Sequence, residues 1–192
     1  MKRWMNCFLY AGMMLVFSHA HGALSYTSGH ADIGLGFYDG ELEFHFHAES
    51  AWIGGIPGVS GEFEPDDILI VVPDHAAVLR PDGSEWGFTG TGAGMPVWVL
   101  PQHHHHDEGD HDEIPFLGLG TEEIPLGVLL NDTVTLRASS VNGPGHFSLW
   151  QMDAFGMPVV YISTFDPASA NELTLPAGLH GLQLGIFGSG PV

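Results

Sequence analysis

The chain has 192 residues, enough for a single domain, and its 23 acidic side chains face only four lysines and arginines, for a formal net charge of −19. An acidic surface of this kind repels phosphate backbones and anionic membranes and attracts cations, so nucleic acid is excluded as a partner. Solubility alone is the plainer interpretation of the same charge.

The first predicted element is a secretory signal peptide over residues 1–20. A basic start and an apolar stretch at 4–17 precede Ser18-His19-Ala20, whose small residues favour cleavage after Ala20, with Gly22 as the second choice. A retained membrane anchor is the alternative, although the stretch is short for a membrane span. The mature chain, 21–192, is predicted to be secreted or otherwise extracytoplasmic, in the periplasm or at the cell surface, with no transmembrane segment. It has no cysteine for a disulfide, and its two arginines against 23 acidic residues give a formal net charge of −21.

After the leader, apolar residues recur with the period of two that is typical of strands, and no stretch keeps helical spacing for three turns. Turn signals such as Asp39-Gly40 separate the runs. The pattern predicts an all-β fold, a single-domain antiparallel β-sandwich or jelly roll. The glycine- and proline-containing stretch Ala48–Pro65 is predicted to be a long loop. The predicted strands are Ile33–Tyr38, Glu41–Ala48, Ile68–Val72, Pro96–Leu100, Thr133–Ala138, His146–Met152, Pro158–Ser163 and Glu172–Leu175.

The predicted strand Glu41–Ala48 separates into two faces. His45 and His47 share its polar face with alternating glutamates, and the other face carries Phe44 and Phe46. Side chains two residues apart on one face lie roughly 7 Å from each other, so both imidazoles can reach one ion with inward rotamers. Imidazole is a common ligand of zinc, nickel and copper. A solvated polar face of a half-buried strand is the alternative.

Residues 102–113 form a low-complexity segment of histidines and acidic residues. It has no apolar residue that could dock on a core, which predicts an exposed loop that chelates metal without a preformed geometry. Its metal affinity should fall as the pH drops, because imidazoles then gain protons. An engineered tag is the trivial alternative, although tags are usually terminal and free of interleaved acids. The candidate ligands in this loop are His103, His104, His105, His106 and His111.

Three further histidines, His30, His146 and His180, stand alone in the sequence. A lone histidine is more often structural than a ligand. The sequence has no nucleophile-elbow pattern and no glycine-rich loop before a helix, and the mature chain has no cysteine, so it gives no sign of a conventional enzyme.

Four segments, taken together in chain order, resemble a known protein family. They are Gly-His-Ala-Asp-Ile-Gly at 29–34, Val-Trp-Val-Leu-Pro-Gln at 97–102, Leu-Gly-Leu-Gly-Thr-Glu-Glu at 117–123 and Asn-Gly-Pro-Gly-His-Phe-Ser-Leu-Trp at 142–150. The set resembles the bacterial surface-anchored repeat domain, also called the choice-of-anchor M domain. The resemblance implies an exported protein with a C-terminal anchor, associated in some bacteria with metal-uptake transporters, and no enzymatic activity. It also places His30 in the family's Gly-His-x-Asp opening and so adds it to the candidate ligands.

The end of the chain departs from this family. Its members usually finish with Asn-Trp-x-Phe and a Gly-x-Tyr strand, which are absent from residues 178–192. One possible coding sequence for residues 180–191, translated in a reading frame shifted by one nucleotide, encodes a segment that contains Asn-Trp-Gly-Phe. Our hypothesis is a frameshift or truncation near residue 180, which would have replaced the normal closing strand and any remaining ligand.

The leading hypothesis is an exported β-sandwich that binds a divalent transition metal through His30, His45 and His47, with the loop 102–113 as an auxiliary capture arm. Zinc is the first choice, and nickel or copper are alternatives. The predicted partners are metal ions and a metal-uptake system or another envelope component. Two rival interpretations stay open: a structural or adhesive surface domain, and a cupin-type metalloenzyme. The cupin motif would comprise Gly40, His45, His47, Glu49 and Gly54.

Overall fold

The structure is a computed structural model that describes residues 22–101, 114–139, 141–180, 182–183 and 185–189. These residues form strands joined by turns, and the helical segments among them are short 3₁₀ turns such as Pro65–Asp67. The predicted all-β fold is therefore confirmed. Across the same ranges, no helix has the length and apolar character needed to cross a membrane.

The first sheet has six strands in the spatial order β12-β7-β1-β2-β3, with β4 paired to the beginning of β1. Its strands pair antiparallel except for β4 and β7, which run parallel to β1. They are β1 (Leu24–Tyr38), β2 (Glu41–Ile53), β3 (Ile56–Phe63), β4 (Ile68–Ile70), β7 (Pro115–Gly120) and β12 (Leu182–Gln183).

The second sheet has five antiparallel strands in the order β10-β9-β13-β6-β5, and a separate two-stranded sheet pairs β11 with β8. The strands of the five-stranded sheet are β5 (Ala77–Leu79), β6 (Pro96–Leu100), β9 (His146–Met152), β10 (Pro158–Ser163) and β13 (Gly185–Ser189). Those of the small sheet are β8 (Thr133–Arg137) and β11 (Glu172–Pro176).

The core lies where these sheets face one another. One apolar cluster joins Leu35 of β1 to Leu149 of β9 and Leu175 of β11, so all three sheets contribute to it. A second cluster lies under the first sheet, where Tyr26 and Phe46 pack edge to face at 5.1 Å. Burial of this apolar surface is the main favourable term that holds the sheets together.

The pairing of β1 with β2 contains a bulge opposite Gly29. Between Ser28 and His30, β1 advances two residues while β2 advances three, from Trp52 to Glu49, so the extra residue lies in β2. Gly29 has a φ of 85°, and a Cβ at this position would lie 2.8 Å from the backbone Cα of Ala51. A glycine is therefore required here, and a bulge of this kind changes the direction in which the following side chains point.

The predicted strands at 96–100, 146–152 and 158–163 match the observed bounds, and the others differ from them at one or both ends. The predicted loop Ala48–Pro65 is wrong: β2 continues to Ile53, and β3 returns from Ile56. The turn between them is made by Gly54 and Gly55, both at positive φ. Glycines in a tight turn and glycines within an edge strand give a segment the same composition as a loop. Composition alone therefore could not distinguish this hairpin from a loop.

The C-terminal region, where we expected the normal closing strand to be replaced, forms two strands. After His180, β12 pairs with β7 in the first sheet, and β13 lies between β9 and β6 in the second. The segment that follows His180 therefore connects the two sheets.

Candidate functional site

Strand pairing places the predicted histidines of β1 and β2 on one face of the first sheet. Asp32 lies opposite His47, and His30 lies opposite Glu49. The intervening residues, such as Ala31, point into the core, so the polar residues share the other face. We call this surface the imidazole–carboxylate face. With the residues that reach it from outside the two strands, it consists of His30, Asp32, His45, His47, Glu49, Glu122, Glu123 and His180.

The imidazole of His30 lies between two carboxylates. Its Nδ1 is 3.1 Å from Oε2 of Glu49, within hydrogen-bond range, and its Nε2 is 3.6 Å from Oδ2 of Asp32, which is too long for a hydrogen bond. The ring also packs against Phe116 with 5.1 Å between centroids. In the neutral tautomer with the proton on Nδ1, His30 donates a hydrogen bond to Glu49, and the lone pair of Nε2 points toward Asp32.

Asp32 is the most buried carboxylate of the face, at 2% exposure, and its Oδ1 has no hydrogen-bond partner. Burial raises the pKa of Asp32, the charge of His30 lowers it, Glu122 and Glu49 raise it, and His180 lowers it. An ionised carboxylate in such a position is costly unless a cation or a proton compensates it.

His45 belongs to a different pair. Its Nε2 lies 3.5 Å from Oε2 of Glu123, and the hydroxyl of Tyr38 donates a hydrogen bond to the same oxygen. The imidazole lies over Gly34, where any Cβ would overlap the ring. Its Nδ1 is buried without a hydrogen-bond partner. The glycine therefore makes the space that His45 occupies.

His47 is half-buried and stands in register between Asp32 on β1 and Glu62 on β3. The structure thus links His45 to Glu123 and His30 to Glu49, and it does not bring His45 and His47 together with Glu49 as the cupin motif requires. Among the residues that the structure describes, no group of three His, Cys, Asp or Glu residues is placed to hold one metal ion. The face thus carries separate imidazole–carboxylate pairs.

Glu122 and His180 reach the face from outside β1 and β2. Nδ1 of His180 lies 3.5 Å from Oε1 of Glu122, and both side chains influence Asp32 electrostatically. Our sequence interpretation did not assign Asp32, Glu122 or His180 to the site. The available signals were the Asp two residues after His30 and the Thr-Glu-Glu segment at 121–123.

The remaining sequence-predicted ligands are His103, His104, His105, His106 and His111, which lie outside the described residues, as does the predicted leader 1–20. No protein-family model matches the chain, and searches of curated proteins and of solved structures likewise find no significant match. The resemblance to surface-anchored domains therefore stays a prediction.

Proposed function

We propose that this chain is an exported, non-catalytic protein that binds a divalent transition metal, with zinc as the first choice and nickel or copper as alternatives. His30 and Asp32 form its primary site. The observation that supports this most directly is the buried Asp32 carboxylate, whose Oδ1 is unpartnered and whose Oδ2 lies 3.6 Å from Nε2 of His30.

The spacing of this pair fits a shared ion. Zinc bonds to imidazole nitrogen and carboxylate oxygen are about 2.0–2.2 Å long, so two ligands at a tetrahedral angle lie roughly 3.3–3.5 Å apart. The two atoms, Nε2 of His30 and Oδ2 of Asp32, are 3.6 Å apart. A bound zinc would require only a small movement of either side chain.

Glu49 completes the arrangement as an orienting residue. A carboxylate that accepts a hydrogen bond from the second nitrogen of a ligating histidine fixes the tautomer and makes the imidazole a better donor to the metal. The 3.1 Å contact between Glu49 and Nδ1 of His30 has this geometry. The acidic chain, with its formal net charge of −19, would raise the local concentration of cations.

The proposed role is metal capture or delivery at the cell envelope, with a metal-uptake system or another envelope component as the partner. The loop 102–113 would serve as a capture arm, with His45 and His47 as further imidazoles on the face. The signal-peptide pattern supports an extracytoplasmic location.

The test uses the mature chain with His103–His106 and His111 replaced by glutamine, which removes the loop ligands and keeps the chain length. Chelator-treated protein is titrated with zinc by calorimetry, and its melting temperature is followed with and without zinc. We expect one tight site and a zinc-dependent rise in melting temperature. H30Q or D32N should weaken binding by about tenfold or more, because each removes a ligand. H75Q, a histidine on the turn Asp74–Ala76, is the matched control.

Unchanged zinc affinity in both H30Q and D32N would refute the primary site. Loss of binding only in the double variant H45Q/H47Q would assign the metal to the strand pair instead. No binding in the loop-substituted chain would leave an acidic surface domain with a structural or adhesive role.

A further inference from the structure

The contacts of Glu122 and His180 extend the proposed metal site, and the following inference rests on that proposed function. Glu122 lies two residues after the end of β7, and its Oε1 lies 3.5 Å from Nδ1 of His180. Its other oxygen, Oε2, is buried and has no hydrogen-bond partner. This pair therefore repeats the arrangement of His30 and Asp32: an imidazole nitrogen near a carboxylate that has an unsatisfied oxygen.

Glycines of β7 lie beside Asp32 and next to Glu122. Along the parallel pairing of β1 with β7, Asp32 lies beside Gly118, two residues before Gly120. A Cβ at Gly120 would lie 2.7 Å from Oε2 of Glu122. Because these positions of β7 have no side chain, the carboxylate of Glu122 can fold back over the sheet toward Asp32.

Hydrogen bonds of Thr121 hold His180 near Glu122. The Thr121 backbone donates to the carbonyl of Leu179 at 2.8 Å and accepts from Gly178 at 2.9 Å. Its hydroxyl donates to the carbonyl of Pro176 at 2.6 Å and accepts from the amide of Leu179 at 3.1 Å. The segment that ends at His180 is therefore fastened to the end of β7, directly beside Glu122.

Charge also favours a cation at this place. Asp32, Glu49 and Glu122 bring three carboxylates together, and His30 and His180 are the imidazoles that act on Asp32. The side chain of Asp32 is only 3% exposed, and its Oδ1 has no hydrogen-bond partner. The negative charge of an ionised Asp32 would therefore be only partly compensated by the surrounding groups, and a bound cation would stabilise it.

We propose that one divalent transition-metal ion, zinc by preference, joins Asp32 and His30 of β1 to Glu122 and His180. Two nitrogens and two carboxylate oxygens form a ligand set that suits zinc, and two carboxylates neutralise its charge. Neither pair holds three ligands by itself. The ion would bring the two pairs together, helped by the mostly exposed side chain of His180, which is free to change rotamer.

This assignment gives the metal a structural consequence. The backbone after His180 pairs with β7 as β12 and then enters the second sheet between β9 and β6 as β13. An ion bound by His180 and by β1 would fasten the crossing segment to the first sheet. Metal occupancy would therefore control how firmly the two C-terminal strands are docked.

Hydrogen–deuterium exchange of the loop-substituted mature chain, with excess zinc and with chelator, tests this inference. We expect zinc to slow exchange of the β12 and β13 amides by about tenfold or more, because opening these strands would then require release of the ion. E122Q and H180Q should each abolish this protection and weaken zinc binding by a similar factor. E43Q, an exposed glutamate of β2, and H75Q are the matched controls.

The outcomes separate this inference from the proposed function. Zinc binding that depends on His30 and Asp32, with unchanged affinity and exchange in E122Q and H180Q, would overturn the four-ligand site and leave the primary site standing. Zinc protection of β12 and β13 that persists in both variants would also overturn it. Absence of zinc binding in the parent chain would overturn both proposals.

Discussion

Substitution of Thr121 by valine tests how the C-terminal segment is attached to the first sheet. Valine keeps the shape of threonine and replaces the hydroxyl by a methyl group, so the change isolates two hydrogen bonds. The hydroxyl donates to the carbonyl of Pro176 at 2.6 Å and accepts from the amide of Leu179 at 3.1 Å. Thr121 is fully buried. The two backbone hydrogen bonds between Thr121 and residues 178–179 would remain.

The expected cost follows from what the substitution leaves unpaired. A buried donor or acceptor without a partner costs about 1–3 kcal/mol. Pro176 is exposed, so its carbonyl can turn to water, whereas the amide of Leu179 belongs to a half-buried residue. We therefore expect T121V to lower the free energy of unfolding of the metal-free protein by about 2 kcal/mol in total.

Urea unfolding in chelator, followed by tryptophan fluorescence and circular dichroism, measures this change. The matched control is T135V on β8, because the Thr135 hydroxyl pairs with that of Thr174 at 2.9 Å on an exposed surface. That variant should stay within about 0.5 kcal/mol of the parent. If T121V also stays within this range, the hydroxyl of Thr121 does not fasten the segment that carries His180, and the reasoning about its position is refuted.

Two further predictions concern Gly29 and the buried carboxylate of Asp32. G29A should cost about 2–4 kcal/mol, because alanine would adopt a strained φ and its Cβ would approach the backbone of Ala51. G40A, at a similar φ in open space, should cost only about 1 kcal/mol; equal costs would contradict the proposed contact. Burial raises the pKa of Asp32 above its ordinary 3.8, so the folded chain holds this proton more tightly than the unfolded chain. The stability that the proton contributes is present at low pH and is lost as the pH rises from 3.8 through the folded pKa. Asparagine does not titrate, so the stability of metal-free D32N measured against that of the parent should be higher at neutral pH than near pH 4. An equal stability difference at both pH values would contradict this prediction.

The alternation along β2 shows what could be predicted locally. Phe46 and Ala48 are buried, and His45 and His47 share the opposite face, as the period of two indicated. Leu42 and Phe44 lie on the apolar face but remain 43% and 50% exposed. The reason is tertiary: β3 pairs with β2 only from Phe46 onward, so the earlier residues of β2 have β1 on one side and no strand on the other.

The strand β7 shows where the sequence pattern fails. All six of its residues are buried, so no polar–apolar alternation marks it, and two of the six are glycines. Both faces of β7 are therefore covered, and its place in the sheet between β1 and β12 follows only from strand pairing.

The all-β class and the shared face of alternate β2 side chains could be predicted from the sequence, because both follow from a local period of two along the backbone. The sequence could not determine which carboxylate each histidine meets. His30 lies against Glu49 because of the β1–β2 register, and Glu122 comes near Asp32 because β7 pairs in parallel with β1. These partners are far apart in the chain, and only the pairing of distant strands, set by burial of their apolar faces, brings them together.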